Sequence, residues 1–271
     1  MSGPDASGRP AIRVGAVGYL NARPLTWALD RRPDRWHVRY DVPAVCATLL
    51  HSGEVDLGLI PSIEYLEAPD YRFVPGVGIG SRGPVASVAL MTRRDISDIR
   101  RLALDTSSRT SVALVKVLCA HHFGIAPEFV LRAPDLPSML RDCDAALLIG
   151  DPALETDPAT LGLQKIDLGS AWQAMTGLPF IYAAWAGRPG AITASDVQAL
   201  QAAQEDGVRA CEVIAREYAP GDARAASRAA VYLRDNVRYG LGPEEAAGLQ
   251  LFLDYAADLG LAPRRRPLEF Y

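Results

Sequence analysis

The side chains best suited to chemistry in this 271-residue chain are crowded into Asp105-Thr106-Ser107-Ser108-Arg109-Thr110-Ser111. Five hydroxyls and one guanidinium follow an apolar run, Leu102-Ala103-Leu104, and open an apolar-periodic segment that reaches Phe123. That pattern predicts a strand-to-helix turn. A helix start aims unpaired backbone N–H groups, and the positive end of its dipole, at whatever lies in front of it. One hydroxyl suffices to cap a helix, and Ser and Thr are ordinary N-caps. Five exceed that need. The turn therefore reads as an anion cradle, above all for a carboxylate, offered by Thr106, Ser107, Ser108, Thr110 and Ser111. Arg109 has two readings. It either grips such a carboxylate with two N–H groups, or it points to solvent or across to an acid.

Three further loops follow apolar strand patterns. In Gly18-Tyr19-Leu20-Asn21-Ala22-Arg23-Pro24-Leu25, the Asn21 amide can donate and accept, although spacing alone makes it an N-cap for the helix that holds Pro24. In Gly80-Ser81-Arg82-Gly83-Pro84-Val85-Ala86-Ser87, Ser87 falls inside a strand pattern and reads locally as a satisfied strand hydroxyl. In Leu148-Ile149-Gly150-Asp151-Pro152-Ala153, Asp151 stands between a strand and a helix, where capping is the plain reading. None of these loops carries His, Lys or Cys. There is no GxSxG elbow and no phosphate-binding GxxxxGK[ST]. The residues alone describe a binder of a small anion without conspicuous acid–base machinery.

The elements that must position these loops alternate. Strands are expected at Ile12–Val17, Trp36–Val42, Val55–Ile60, Phe73–Ile79, Val85–Met91, 101–105, Glu128–Arg132, Ala145–Ile149, Ile166–Leu168 and Phe180–Trp185. Between them lie helical patterns at Arg23–Asp30, Pro43–His51, Pro61–Leu66, 108–123, up to Arg141 and around Trp172. Gly53 and Gly124 act as stop signals. From Thr193 the pattern is helical, most clearly over 243–259, closed by Gly260. Residues 1–11 read as a disordered tail. Each half of the chain begins strand, polar loop, helix. This predicts two α/β lobes around a central cleft, with ligand at the carboxyl ends of the strands. The expected boundaries are 1–93 plus 187–271 for a discontinuous first lobe and 94–186 for the second. The crossings are placed at Thr92–Arg94 and Gly187–Gly190.

Bulk composition narrows the partners. With 49% apolar and 22% charged residues and a net charge of −4, the chain has no electrostatic case for nucleic acid or an anionic membrane. Apart from Lys116 and Lys165 the cationic side chains are all arginine, a bias that reads as base composition. The start MSGPDASGRPAIRVGAV does not resemble a secretory signal, and no run approaches the ~18 apolar residues of a membrane span. Cys46, Cys119, Cys143 and Cys211 are isolated in apolar contexts. None of His37, His51, His121 and His122 has metal-ligand spacing with a cysteine. The expectation is a cytoplasmic protein with a small-molecule partner, no metal and no cofactor. The pattern specifies no oligomeric state.

Six separated segments agree with one family. GYLNARPL, SGEVDLGLIPSIEYL, GSRGPVASVAL, ALDTSSRTSVALVKVL, DAALLIGDPAL and DLGSAWQAMTGLPFIYAAWA resemble the chorismate dehydratases of the futalosine route to menaquinone. The likeness runs in order from about Arg13 to Trp185. It implies a periplasmic-binding-protein-like fold of type II and a hydro-lyase that converts chorismate to 3-[(1-carboxyvinyl)oxy]benzoate and water. The family's functional asparagine falls on Asn21 and its "GPV-x-S" serine on Ser87, which the resemblance makes catalytic. Its hydroxyl-rich "TSRTS" segment falls on Thr106–Ser111, and Gly150-Asp151 is intact. These are the implied substrate contacts.

Chorismate is a dianion that must find local donors in an acidic protein. Its departing hydrogen is vinylogous to the ring carboxylate, so donors on that carboxylate stabilise carbanion character. Aromatisation drives the loss of water, which makes positioning more important than strong catalytic groups. With no His or Lys in the motifs, the substrate's own enolpyruvyl carboxylate is the expected base. The rival bases are Asp151 and Glu64, each needing a pKa raised by burial. The rival functions are a non-catalytic anion-binding protein of the same fold and the enzyme that processes cyclic dehypoxanthine futalosine.

Overall fold

Continuous apolar runs become strands covered on both faces, and runs interrupted by charge become sheet edges. The computed structural model describes residues 10–271 and contains two five-stranded sheets built on that rule. The expected tail over 1–11 falls, for residues 1–9, outside the described residues. The strands are β1 (Ile12–Val17), β2 (Trp36–Asp41), β3 (Leu57–Pro61), β4 (Arg72–Ser81), β5 (Val88–Thr92), β6 (Arg101–Asp105), β7 (Glu128–Arg132), β8 (Ala145–Ile149), β9 (Gln164–Asp167) and β10 (Phe180–Gly187). The first sheet has the order β2-β1-β3-β10-β4 and the second β7-β6-β8-β5-β9. Central β3, β5, β8 and β10 are buried throughout, whereas β2, β7 and β9 at the edges are partly exposed.

The helices are α1 (Arg23–Thr26), α2 (Pro43–Ser52), α3 (Arg109–Leu118), α4 (Leu136–Asp142), α5 (Gly150–Glu155), α6 (Leu168–Thr176), α7 (Ala194–Arg209), α8 (Cys211–Tyr218), α9 (Ala223–Val231) and α10 (Pro243–Asp258). The helix expected over Arg23–Asp30 is shorter. A 3-10 turn at Leu20–Ala22 leads into α1, and turns continue to residue 31. The long helix expected over 108–123 is α-helical to Leu118 and ends as one π turn, Cys119–Phe123. Among the described residues no helix is long and apolar enough to cross a membrane.

The expected lobe boundaries are corrected in two places. The boundary at residue 93 places β5 in the first lobe, yet it pairs with β8 and β9 in the second sheet. The boundary at residue 186 places β10 almost wholly in the second lobe, yet it runs antiparallel between β3 and β4 in the first. The chain therefore crosses at residues 82–87 and again at 168–179, on either side of the second sheet. Alternation reveals that a strand exists; its sheet is decided by a hydrogen-bonding neighbour far away in sequence. The tail helices return to the first lobe. There α7 packs on α1 and β4, and α10 lies on β10 and reaches α3 of the second lobe. A shared apolar core joins the lobes on that side, with Tyr65, Leu104, Val115, Trp172, Phe180 and Phe252 fully buried.

Candidate functional site

The strand ends of the two sheets face each other across a narrow cavity of about 50 Å³. Asn21, Ser87, Ser108, Ser111 and Gly150 line it, together with Tyr19, Tyr182 and apolar side chains. Among the described residues no carboxylate and no histidine lines it.

Asn21 reaches the cavity on the 3-10 turn after β1. It does not cap the following helix, whose N-cap is Ala22 with no side-chain bond. Its Oδ1 is buried without a hydrogen-bond partner. Leaving such an acceptor unmet costs about 1–3 kcal/mol, so this is a group kept for something other than stability. Its side chain also faces the hydroxyl of Tyr232. That turn is held by the other lobe: the Leu20 N–H donates to Asp151 Oδ1 at 3.0 Å. Asp151 thus ties two lobes together and makes no cap bond of its own helix, whose N-cap Ile149 carries no side-chain bond. Burial pushes the Asp151 carboxyl up from its ordinary range.

Ser87 is buried, and its Oγ accepts from Tyr232 at 2.7 Å. Its carbonyl accepts the Gly150 N–H at 2.8 Å. Gly150 has φ +64° and lies under the Tyr19 ring; a Cβ there would stand 2.8 Å from the ring. No side chain fits both the conformation and the space. Burial raises the pKa of Tyr19, which faces Ser107 and the charges of Asp105 and Asp151. Burial likewise holds Tyr232 and Tyr182 protonated.

The hydroxyl-rich turn divides. Ser108 is the N-cap of α3: its Oγ accepts the Ser111 N–H at 3.2 Å and donates to Ser111 Oγ at 2.9 Å. These two hydroxyls face the cavity. Thr110 Oγ1 instead accepts the Ile63 N–H at 3.2 Å, which fastens α3 to the 3-10 turn Ser62–Leu66 of the first lobe. Ser107 gives both its N–H and its hydroxyl to Asp105 Oδ1, at 2.8 and 2.6 Å. Asp105 is fully buried, its Oδ2 is unpartnered, and burial raises its pKa.

Thr106 and Arg109 are exposed and line a wider groove of about 720 Å³ beyond Ser108, with His51, Glu64, Glu67 and Lys116. Of the two readings of Arg109, the structure shows the acid partner. Its Nη1 donates to the buried Glu64 carboxylate at 2.7 Å, and that oxygen also meets His51 Nε2 at 2.8 Å. Glu64 is thereby occupied outside the cavity.

Sequence reasoning missed Tyr232 and Tyr182, and gave Asp105 no role of its own. Tyr232 lies in the helical tail, 145 residues from the serine it touches, and no local pattern marks it. Asp105 was visible as the last residue of a buried strand, an unusual place for a carboxylate. A glycine pattern that resembles a dinucleotide-binding turn, Gly78-x-Gly80-x-x-Gly83, is also present. It continues β4 to Ser81 and opens no helix, so it lacks the helix N-terminus such a turn serves.

Two α/β lobes around a cleft whose polar groups come from the strand ends define a periplasmic-binding-protein-like protein of type II. Solved structures agree on the fold. A protein from Archaeoglobus fulgidus superposes with a TM-score of 0.72 at 20% identity, covering 93% of this chain and 98% of that one. The periplasmic aliphatic sulphonate binding protein of Escherichia coli gives 0.66 at 19% identity, covering 97% and 94%. A family model described as menaquinone biosynthesis matches residues 12–258. A chorismate dehydratase from Thermus thermophilus is 33% identical over 283 residues, covering 96% of this chain and 99% of the relative. The chain belongs to the menaquinone-biosynthesis family that contains chorismate dehydratase.

Proposed function

We propose that this protein dehydrates chorismate to 3-[(1-carboxyvinyl)oxy]benzoate. The observation that carries the reading is the cavity itself, where the unpartnered Asn21 Oδ1, the Ser87 hydroxyl and the Ser108–Ser111 pair face one another with no carboxylate among them. The α3 start takes a carboxylate of the substrate through Ser108 and Ser111. Asn21 and Ser87 contact the reacting edge of the ring. The ring C–H bond beside the ether breaks, its electron pair forms the new ring double bond, and the neighbouring C–O bond breaks as hydroxide takes the abstracted ring proton from the enolpyruvyl carboxyl group and departs as water. The enolpyruvyl carboxylate of the substrate accepts the ring proton, since the site offers no base of its own. Fixed donors and exclusion of water then account for the rate.

The cavity is smaller than the ~300–1,000 Å³ of typical ligand sites, so the lobes part to admit substrate and close over it. The same reading expects a cytosolic enzyme, where the four buried free thiols stay reduced. Incubation of the purified protein with chorismate tests it: the diene absorbance should fall as the aromatic product appears. Unchanged chorismate would reject the dehydratase reading in favour of a binding protein of the same family fold.

A further inference from the structure

Ser87 is aimed by an unusual piece of backbone. Ala86, just before it, has φ +64°, the one positive φ among the described residues that are not glycine. An L-residue adopts that conformation at a cost and keeps it only where its surroundings insist. Here the insistence comes from one carboxylate on the other side of the lobe crossing. Asp167, the last residue of β9, accepts the Ala86 N–H at 2.7 Å and the Val85 N–H at 3.1 Å to each oxygen. Its Oδ1 also caps α6 through the Ser170 N–H at 3.0 Å.

The approach is close by design of the sequence. A Cβ on Gly169 would stand 2.5 Å from the Gly83 carbonyl oxygen and 2.7 Å from Ser81 Oγ. Only glycine lets the first turn of α6 lie against the crossing segment and bring Asp167 into reach. With Ala86 turned, the Ser87 N–H bonds to the Val85 carbonyl at 2.8 Å and the Ser87 hydroxyl meets Tyr232 in the cavity.

We propose that Asp167 is a positioning residue for the dehydration, acting through the left-handed Ala86 to present Ser87 to the substrate. This rests on the dehydratase reading above. A plain helix cap is the competing role, and the two separate cleanly. Serine caps helices about as well as aspartate, but it offers a single short acceptor and cannot also hold Val85 and Ala86.

Asp167→Ser should therefore keep the α6 cap, lower the thermal midpoint only modestly for the released Val85 and Ala86 N–H groups, and lose kcat by about 10-fold or more in the folded protein, with KM changed far less. Adding Ala86→Gly, which adopts the left-handed turn without a clamp, should restore most of that loss. An unchanged kcat in Asp167→Ser would overturn the proposal, and so would a loss that Ala86→Gly leaves untouched. A crystal structure of Asp167→Ser decides the clamp without turnover: Ala86 should leave positive φ and Ser87 should part from Tyr232. Retention of both would again overturn it. Wild-type protein that leaves chorismate intact would defeat the dehydratase reading, while the structural comparison would still judge the clamp.

Discussion

Asn21 holds a buried acceptor with nothing to accept from, in a turn that Asp151 of the other lobe holds in place and with its side chain against the Tyr232 hydroxyl. Replacing it with alanine removes an unmet polar atom and, if catalysis is its purpose, a transition-state contact as well. Asn21→Ala is therefore expected to lower kcat by about 10²-fold, the scale for a misplaced substrate, while the thermal midpoint stays level or rises. Parallel kinetics and thermal melts check both halves; a variant that loses stability in step with activity would make Asn21 structural. Neither Asp151 nor Glu64 lines the cavity, and each is committed to partners elsewhere. Loss of a general base costs about 10²- to 10⁴-fold. The double variant Glu64→Gln, Asp151→Asn should then keep most of the wild-type kcat, and a collapse with product binding intact would return the base to the protein. At this scale the sequence was only partly legible. Asn21 and Ser87 were singled out by resemblance, while their local spacing spoke for a cap and a strand hydroxyl. Asp167 and Tyr232 were invisible because each reaches the site from a distant segment.

The start of α3 shows what one element contributes. The sequence Asp105–Ser111 reads as a single cradle, because five hydroxyls within six residues cannot all be needed as caps. Folded, the turn has three faces. Ser108 and Ser111 look into the cavity, Thr110 binds the first lobe, and Thr106 and Arg109 look out into the groove. Helical geometry sends successive side chains about 100° apart, so a contiguous motif cannot present all its residues to one ligand. Ser108→Ala removes both the cap and one cavity donor. It is expected to cost about 1 kcal/mol in stability and to raise KM more than it lowers kcat, measured by chemical unfolding and steady-state kinetics; an unchanged KM would remove this helix start as the carboxylate anchor. Strands were read well for the reason that β3, β5, β8 and β10 carry unbroken apolar runs. Their assignment to lobes was not, since β5 and β10 each pair with strands of the lobe opposite to the one their sequence neighbours suggest.

The lobes meet through contacts across the mouth of the cleft. Tyr19 of the first lobe lies flat over Gly150 of the second, and the Leu20 N–H reaches Asp151 beside it. On the far side α3, α10 and the shared core keep the lobes together, so an opening that swings about that side is expected to separate Tyr19 from Gly150. A cavity of about 50 Å³ is too small for a ring bearing two carboxylates, so the proposed function requires the lobes to part for substrate and to close over it less tightly than they do here. Gly150→Ala tests this cycle. The added Cβ meets the Tyr19 ring at 2.8 Å and has a left-handed backbone to contend with, both of which penalise the closed state. Small-angle scattering should show wild-type protein compacting when product is added and Gly150→Ala failing to do so, with kcat/KM lowered by about 10²-fold for want of a closed site. Trimming the ring with Tyr19→Leu in the same variant should restore part of the compaction. If Gly150→Ala compacts as the wild type does, the Tyr19–Gly150 contact is incidental to closure, and the left-handed glycine serves only the turn into α5.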